Sequence, residues 1–127
     1  MAPPAIARLS WNVQLSAVAN KDLLTGLGNR NSLERVLERE AARVKRRGGY
    51  LLFLFIDIDN LKHINDTRGH RAGDAVLAEV AMRLKAQKRN YDALIRYGGD
   101  EFCVICSQLP REDDALRIRD KFCNALH

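Results

Sequence analysis

Apolar and polar residues along the chain fall into blocks whose spacing predicts the order helix, strand, two helical segments, hairpin and helix. The first long helix carries apolar residues three or four positions apart, at Leu33, Val36, Leu37, Ala41 and Val44. Asn31 or Ser32 can cap its start, and Gly48 with Gly49 ends it. The run Tyr50–Ile58 is apolar without alternation, which is typical of a strand covered on both faces.

Two further helices are predicted beyond this strand. One is expected to open at Asp74 and has apolar residues along one side, at Val76, Leu77, Val80, Ala81 and Leu84. The other follows Pro110, where the acidic residues Glu112 to Asp114 favour a helix start. Residues 1–20 carry a short helical stripe that predicts a stem, and residues 21–127 are expected to form one domain of the α+β class.

A Gly-Gly pair lies between two apolar runs near the end of the chain. Ala93 to Tyr97 and Phe102 to Cys106 flank Gly98 and Gly99, and this pattern predicts a tight β-hairpin in which both turn residues take positive φ. Cys103 and Cys106 resemble a metal-binding pair, but on a strand they point to opposite faces. We expect buried, reduced thiols there.

Acidic residues stand at two places that the predicted fold brings together. Asp57 and Asp59 follow the first strand, and Asp100 and Glu101 follow the glycine turn. If the strand lies beside the hairpin, Asp57 and Asp100 meet at one edge, an arrangement that suits Mg²⁺ in phosphoryl or nucleotidyl transfer. Nearby Lys62 would supply a donor for a triphosphate. The alternative is a solvated hairpin tip with exposed charges.

The charge of the chain is uneven and leaves two interpretations open. The net charge is +5, and residues 1–49 hold nine Lys/Arg against four Asp/Glu, whereas the rest is balanced. The sharpest cluster is Arg43, Lys45, Arg46 and Arg47. These cations would favour the negative pole of a helix, which we prefer to a nucleic-acid or membrane-surface patch. No apolar run approaches the ~20 residues of a membrane span and no secretory signal is present, so we expect a cytoplasmic protein.

Four motifs in order resemble a known family. They are Asp22-x-Leu-Thr-Gly-Leu-x-Asn-Arg30, Asp57-Ile-Asp59, Lys62-x-x-Asn65-Asp66-Thr-x-Gly-His70-x-x-Gly-Asp74 and Arg96-Tyr-Gly-Gly-Asp-Glu-Phe102. The sequence is similar to the GGDEF diguanylate cyclases, bacterial enzymes that condense two GTP into cyclic di-GMP and two pyrophosphates. The resemblance implies a palm-like, ferredoxin-like antiparallel sheet packed with helices, as in nucleotidyl cyclases. It also implies a homodimer with one GTP per protomer, an upstream sensory domain or partner, and no nucleic-acid ligand.

The resemblance assigns a role to each matching residue. Metal binding, with Mg²⁺ expected and Mn²⁺ possible, falls to Asp57, the carbonyl of Ile58 and Asp100. Guanine recognition falls to Asn65 and Asp74. Phosphate binding falls to Lys62 and to the backbone after Asp59, at Asn60 and Leu61. Catalysis falls to Asp100 or Glu101, which would help deprotonate the ribose 3′-hydroxyl, and to Lys62, which would stabilise transition-state charge.

Several of these residues also have plain structural interpretations. Asn65 could be a turn residue, and Asp74 could be the N-cap of its helix. Arg89 and Asp92 match the family's inhibitory product-binding motif, but a surface ion pair would give the same spacing. The sequence alone leaves these alternatives open.

Two departures from the family pattern affect the expected activity. Asn60-Leu61 stands where the family commonly has a phenylalanine before the lysine, a mild change. Family domains also continue past the position of His127 with further strands and a helix. We therefore expect the last strands and helix to be missing here, which would leave residues 51–56 as an uncovered apolar edge. We predict that the chain is a fragment of a longer protein or that another chain covers this edge. The alternative function is a weak or inactive domain that binds GTP or cyclic di-GMP as a regulatory module.

Overall fold

The computed structural model describes residues 20–127, and the predicted stem lies outside this range except for its last residue. The described residues form four strands and four helices, which confirms the predicted α+β class. In chain order these are β1 (Gly28–Asn29), α1 (Arg30–Arg47), β2 (Tyr50–Asp57), α2 (Leu61–Arg68), α3 (His70–Gln87), β3 (Ala93–Arg96), β4 (Glu101–Leu109) and α4 (Glu112–Ala125).

The strands form one sheet in the order β1-β3-β4-β2. β4 pairs antiparallel with β3 on one side and with β2 on the other, whereas β1 runs parallel to β3. The predicted neighbourhood of the first strand and the hairpin is therefore correct. The two-residue β1, which the hydrophobic pattern did not predict, extends the sheet beyond β3.

Helices cover the sheet on two sides. On one face α2, α3 and α4 bury a core that includes Leu77, Leu84, Phe102, Val104 and Phe122. On the other face α1 packs its Leu33, Val36 and Leu37 against Ile95, Cys103 and Ile105 of β3 and β4. The thiols of Cys103 and Cys106 are buried on opposite faces, as predicted. The fold therefore has three layers: α1, the sheet, and the group of α2, α3 and α4.

The predicted helix starts need correction. α1 begins at Arg30, and the side chain of Asn29, not that of Asn31 or Ser32, accepts from the backbone and caps it. Asp74 does not open a helix, because α3 begins four residues earlier at His70. Both helices therefore start inside stretches of polar sequence, where the apolar periodicity that located them is absent.

The turn between β3 and β4 is wider than predicted. Neither Gly98 nor Gly99 takes positive φ, so the prediction of a tight turn with positive φ at both glycines is wrong. Arg96 pairs with Phe102, and the N–H groups of Tyr97 and Gly98 both donate to the carbonyl of Glu101. A loop of this size leaves room for acidic side chains within the turn.

β2 is not covered on both faces by the described residues. Within that range it pairs with β4 only, and its exposure alternates along the strand. Leu52, Leu54 and Ile56 pack on the main core, whereas Phe53 and Phe55 are 40% and 49% exposed. α1 contacts β2 as well as β3 and β4, but it leaves these two rings partly exposed. The apolar edge expected at residues 51–56 is thus present in the described fold.

The basic residues of α1 lie in its last turn, with Lys45, Arg46 and Arg47 next to the C-terminus. Cations at this position interact favourably with the helix dipole, which supports the structural interpretation of the cluster. Among the described residues, no helix has the length and apolar content needed to cross a membrane.

Candidate functional site

The end of β2 and the hairpin turn lie side by side. Asp57 is the register partner of Glu101, and the N–H of Ile58 donates to the carbonyl of Asp100 at 2.8 Å. The backbones that carry Asp57 and Asp100 are therefore neighbours at one edge of the sheet, 43 positions apart in sequence. Asp57 is exposed, and Asp100 and Glu101 are half-buried, so all three carboxylates have access to solvent.

This edge offers hard oxygen donors without a closed metal cage. No group of three or more Asp, Glu, His or Cys side chains within residues 20–127 is arranged to hold a metal ion. The donors that the sequence proposed are two carboxylates and the carbonyl of Ile58. Mg²⁺ prefers such oxygens and commonly takes only one or two carboxylates, completing its shell with phosphates and water. The donor set therefore fits Mg²⁺, and the ligand assignment stays a prediction.

The carboxylate of Glu101 folds back over the turn. A Cβ atom placed on Gly98 would lie 2.2 Å from Oε1 of Glu101. Gly98 is needed here for space, because its own backbone conformation is one that any residue can adopt. The first glycine of the pair thus determines where the second acid of the motif lies.

The start of α2 provides groups suited to phosphate. Asn60, which precedes the helix, has a left-handed backbone with φ 65°. The side chain of Leu61 is buried in the core, so only its backbone amide is available to a ligand. The first N–H groups of a helix have no acceptor within it, and they point outward together with the exposed side chain of Lys62.

Asn65 and Asp74 belong to two successive helices that meet. Asn65 lies inside α2, not in a turn, and its side chain packs against Gly73 of α3. Asp74 is the fifth residue of α3 and exposed, so it is not an N-cap. Both structural interpretations from the sequence are therefore wrong. Asp74 is exposed and Asn65 is half-buried, and their roles in guanine recognition stay predictions.

A groove of about 610 Å³ opens between the end of β2 and α3. Asp57, Ile58 and Asp59 line one side, and Val76 and Glu79 of α3 line the other. The groove is large enough for part of a nucleotide. It connects the acidic edge of the sheet with the helix that carries Asp74.

Sequence reasoning missed a set of contacts between residues 21–30 and the hairpin. Both the N–H and the hydroxyl of Thr25 donate to Oδ2 of Asp22, at 2.9 and 2.6 Å, and Nη1 of Arg96 lies 3.2 Å from Oδ1. The ammonium of Lys85 donates to the carbonyl of Thr25 at 2.7 Å. The Asp-x-x-Thr spacing, typical of an Asp side chain that caps a turn, is the sequence signal for this structure.

These contacts set the ionisation of Asp22. Partial burial alone would raise the pKa of its carboxyl, but the Thr25 hydrogen bonds and the Arg96 charge outweigh that effect. The pKa of Asp22 is therefore lowered below its usual value. Arg96 in turn donates from Nη2 to the carbonyl of Gly99 at 2.9 Å, next to Asp100.

Arg89 and Asp92 lie at the other end of β3 and form a closed pair. Nη2 of Arg89 lies 2.7 Å from Oδ1 of Asp92, and the Asp92 side chain is completely buried. The same Nη2 donates to the carbonyl of Ser107, and Nη1 donates to the Tyr91 hydroxyl. Burial alone would lower the pKa of Arg89, but its bonds to Asp92 raise it. This is more than the surface ion pair considered from the sequence.

Comparisons with known proteins agree with the fold and the motifs. Residues 19–126 match the sequence family described as diguanylate cyclase, GGDEF domain. The chain is 45% identical over 109 residues to the diguanylate cyclase TpbB of Pseudomonas aeruginosa, which covers 86% of this chain and 25% of that protein. The chain thus spans about a quarter of the length of this relative.

Solved structures give the same picture. The GGDEF domain of the Pseudomonas aeruginosa protein TpbB superposes with a TM-score of 0.78 at 44% identity, covering 83% of this chain and 61% of that one. The coiled coil and GGDEF domain of DgcB from Caulobacter crescentus, in complex with c-di-GMP, gives a TM-score of 0.81 at 29% identity. This match covers 92% of this chain and 61% of that one.

Proposed function

The chain belongs to the GGDEF-domain family of diguanylate cyclases, and on that premise we propose that it condenses two GTP into cyclic di-GMP with release of two pyrophosphates. The observation that carries this proposal is the pairing of Asp57 with Glu101 and of Ile58 with Asp100 at one edge of the sheet. That edge adjoins the start of α2 and a groove large enough for part of a nucleotide. A DgcB domain of the same fold was solved with c-di-GMP.

The metal in this proposal is Mg²⁺, held by Asp57, Asp100 and the carbonyl of Ile58. When bound, the ion neutralises phosphate charge and lowers the pKa of the attacking hydroxyl. The oxygen-only donor set supports this choice over softer metals, and Mn²⁺ shares the same ligand preference.

The remaining roles fall to groups around the groove. The free N–H groups at the start of α2 and the Lys62 ammonium bind the phosphates and stabilise the charge that develops on the leaving pyrophosphate. Asn65 and Asp74 recognise the guanine, because a carboxylate accepts from N1 and N2 and an amide meets the acceptor edge. Glu101 or Asp100 accepts the proton of the 3′-hydroxyl.

Ring closure needs two nucleotides in opposite orientation. Each protomer presents one GTP at an open edge of the sheet, so a two-fold dimer can set each 3′-hydroxyl against the α-phosphate of the other nucleotide. Each of the two attacks forms one phosphodiester bond and breaks one bond to pyrophosphate. The proposed enzyme is therefore a homodimer during turnover.

The test is product formation from GTP with Mg²⁺, followed by chromatography of the nucleotides. Wild type should form cyclic di-GMP, and Asp100→Ala should abolish it without loss of the fold. Asp113→Ala, at an exposed position near the start of α4, is the matched control and should retain activity. Equal activity in wild type and Asp100→Ala would contradict the proposal.

A second candidate function is supported by the Arg89–Asp92 pair. A chain of this length can act as a regulatory module that binds GTP or cyclic di-GMP with little or no turnover. Calorimetry with cyclic di-GMP separates the two, because the module predicts binding without synthesis. That binding should be lost in Arg89→Ala and retained in Arg119→Ala, which removes only an exposed ion pair with Asp120 on α4.

A further inference from the structure

Gly73 occupies a position in α3 where a side chain would collide with Asn65. A Cβ atom on Gly73 would lie 1.8 Å from Oδ1 of Asn65 and 2.8 Å from its Cγ. Real Cβ contacts are essentially never shorter than 3.0 Å, so even alanine would force the amide to move. The backbone does not require glycine here, because Gly73 is helical and lacks positive φ.

Asn65 is held in an arrangement that does not favour stability. Its Oδ1 is buried without a hydrogen-bond partner, one of four such side-chain atoms in the described part of the chain. Asparagine is a poor helix former, and glycine inside a helix is worse. Two neighbouring helices thus each carry an unfavourable residue, and these two residues touch. Local choices that oppose stability at one point of contact are typical of functional sites.

The contact fixes the orientation of the Asn65 amide. Its Oδ1 lies against Gly73, 1.8 Å from the position that a Cβ on Gly73 would take. Nδ2 lies farther away, at 3.4 Å from that position. Because Asn65 is half-buried, the amide also keeps an accessible side. Nδ2 is thus the amide atom farther from Gly73, and Asp74 directly follows Gly73 in α3.

We propose that Gly73 is a positioning residue for purine recognition, because the space above its Cα holds the Asn65 amide with its NH₂ donors directed at the base. This inference rests on the proposed function. Guanine has an acceptor, O6, beside its N1–H donor, whereas adenine has an amino donor where O6 lies. An amide fixed as a donor beside the Asp74 acceptor therefore matches guanine and opposes adenine.

The experiment compares the dissociation constants of non-hydrolysable GTP and ATP analogues for four forms of the protein. These are wild type, Gly73→Ala, Asn65→Ala and the double variant, each checked by thermal unfolding. We expect Gly73→Ala to reduce the preference for the GTP analogue about tenfold or more, as Asn65→Ala does. Adding Gly73→Ala to Asn65→Ala should cost little more, because the amide is already gone.

The outcomes separate this inference from the proposed function. If wild type does not prefer the GTP analogue, the proposed function fails. If wild type prefers it and Gly73→Ala keeps the full preference, the positioning role alone is overturned. Independent, multiplying losses in the double variant would also overturn it. If Gly73→Ala does not fold, the double variant decides. A folded double variant supports the collision between the added Cβ and the Asn65 amide, because the amide is absent there, and an unfolded double variant refutes it.

Discussion

The guanidinium of Arg96 lies 3.2 Å from Oδ1 of Asp22, although the two residues are 74 positions apart in sequence. The Nη2 atom of the same guanidinium donates to the carbonyl of Gly99. One side chain therefore joins residues 21–30 to the turn that precedes Asp100. Because both partners are less than a fifth exposed, this ion pair is worth more than a typical surface pair.

Asp22→Asn should lower the free energy of unfolding and make it less dependent on pH. The lowered pKa of Asp22 means that its contribution is present above the unfolded value near 3.8 and is lost as pH falls through the lower folded value. We expect a loss of about 1–2 kcal/mol at pH 7 and a smaller loss at pH 2. Urea unfolding at the two pH values measures this. Asp120→Asn, an exposed pair with Arg119, should change little, and an equal loss at both pH values would contradict the prediction.

Gly98→Ala should disturb catalysis more than stability. The added carbon would meet Oε1 of Glu101, the mobile end of a side chain, which can move at small cost. If Glu101 takes part in turnover, the rate of cyclic di-GMP formation should fall about tenfold or more, with the free energy of unfolding changed by less than about 1 kcal/mol. Gly99→Ala is the control, because a Cβ there has no atom within 4 Å. Similar rates in both variants would exclude this role of Gly98.

Arg89→Ala should weaken both product binding and the fold. Removal of the guanidinium leaves the buried Asp92 carboxylate without its main partner, which costs about 3 kcal/mol or more. Arg83→Ala removes an exposed pair with Glu79 and should cost less than about 0.5 kcal/mol. Chemical unfolding gives both values. An equally small effect in the two variants would mean that the Arg89 pair is no stronger than a surface pair.

One thiol of the three should react quickly with an aromatic disulfide reagent at pH 8. Burial, with the Asp92 carboxylate nearby, raises the pKa of Cys106 to about 12. Burial, with Glu101 nearby, raises the pKa of Cys103 to about 11. Cys123 is exposed. Cys123→Ser should abolish the fast reaction. Unfolding in urea should then expose the thiols of Cys103 and Cys106 and let them react. Two fast thiols in the native wild type would contradict their burial.

The exposed side of β2 should promote self-association. An edge strand with exposed apolar side chains is a template for pairing with another chain. Phe53→Lys places a charge on this edge and should lower light scattering at high protein concentration. Met82→Lys is the control, because Met82 is 63% exposed and lies on α3, not on a strand. Equal effects of the two substitutions would mean that net charge, not the edge, controls association.

The sequence was sufficient for the order of elements after residue 29 and for the approach of Asp57 to Asp100, but it did not show the two-residue β1. Apolar periodicity located the helices and strands because core burial produces it. It could not locate the start of α1 or α3, since caps depend on local hydrogen bonds in polar stretches. Apolar periodicity also predicted that β2 is covered on both faces. A continuous apolar run does not distinguish a covered strand from one whose neighbour is absent. The Arg96 contact to Asp22 was not predictable from spacing, since nothing in either segment indicates the other.

The four residues of β3 separate the two proposed ligand regions. At about 3.3 Å per residue the strand holds its Arg89 end and its Asp100 end roughly 13 Å apart, too far for one small occupant to block the other. β3 is hydrogen-bonded on both edges, to β1 and to β4, and this pairing opposes bending of the strand. Inhibition by an occupant of the Arg89 end would consequently be non-competitive with GTP and would lower the maximal velocity without changing the half-saturating substrate concentration.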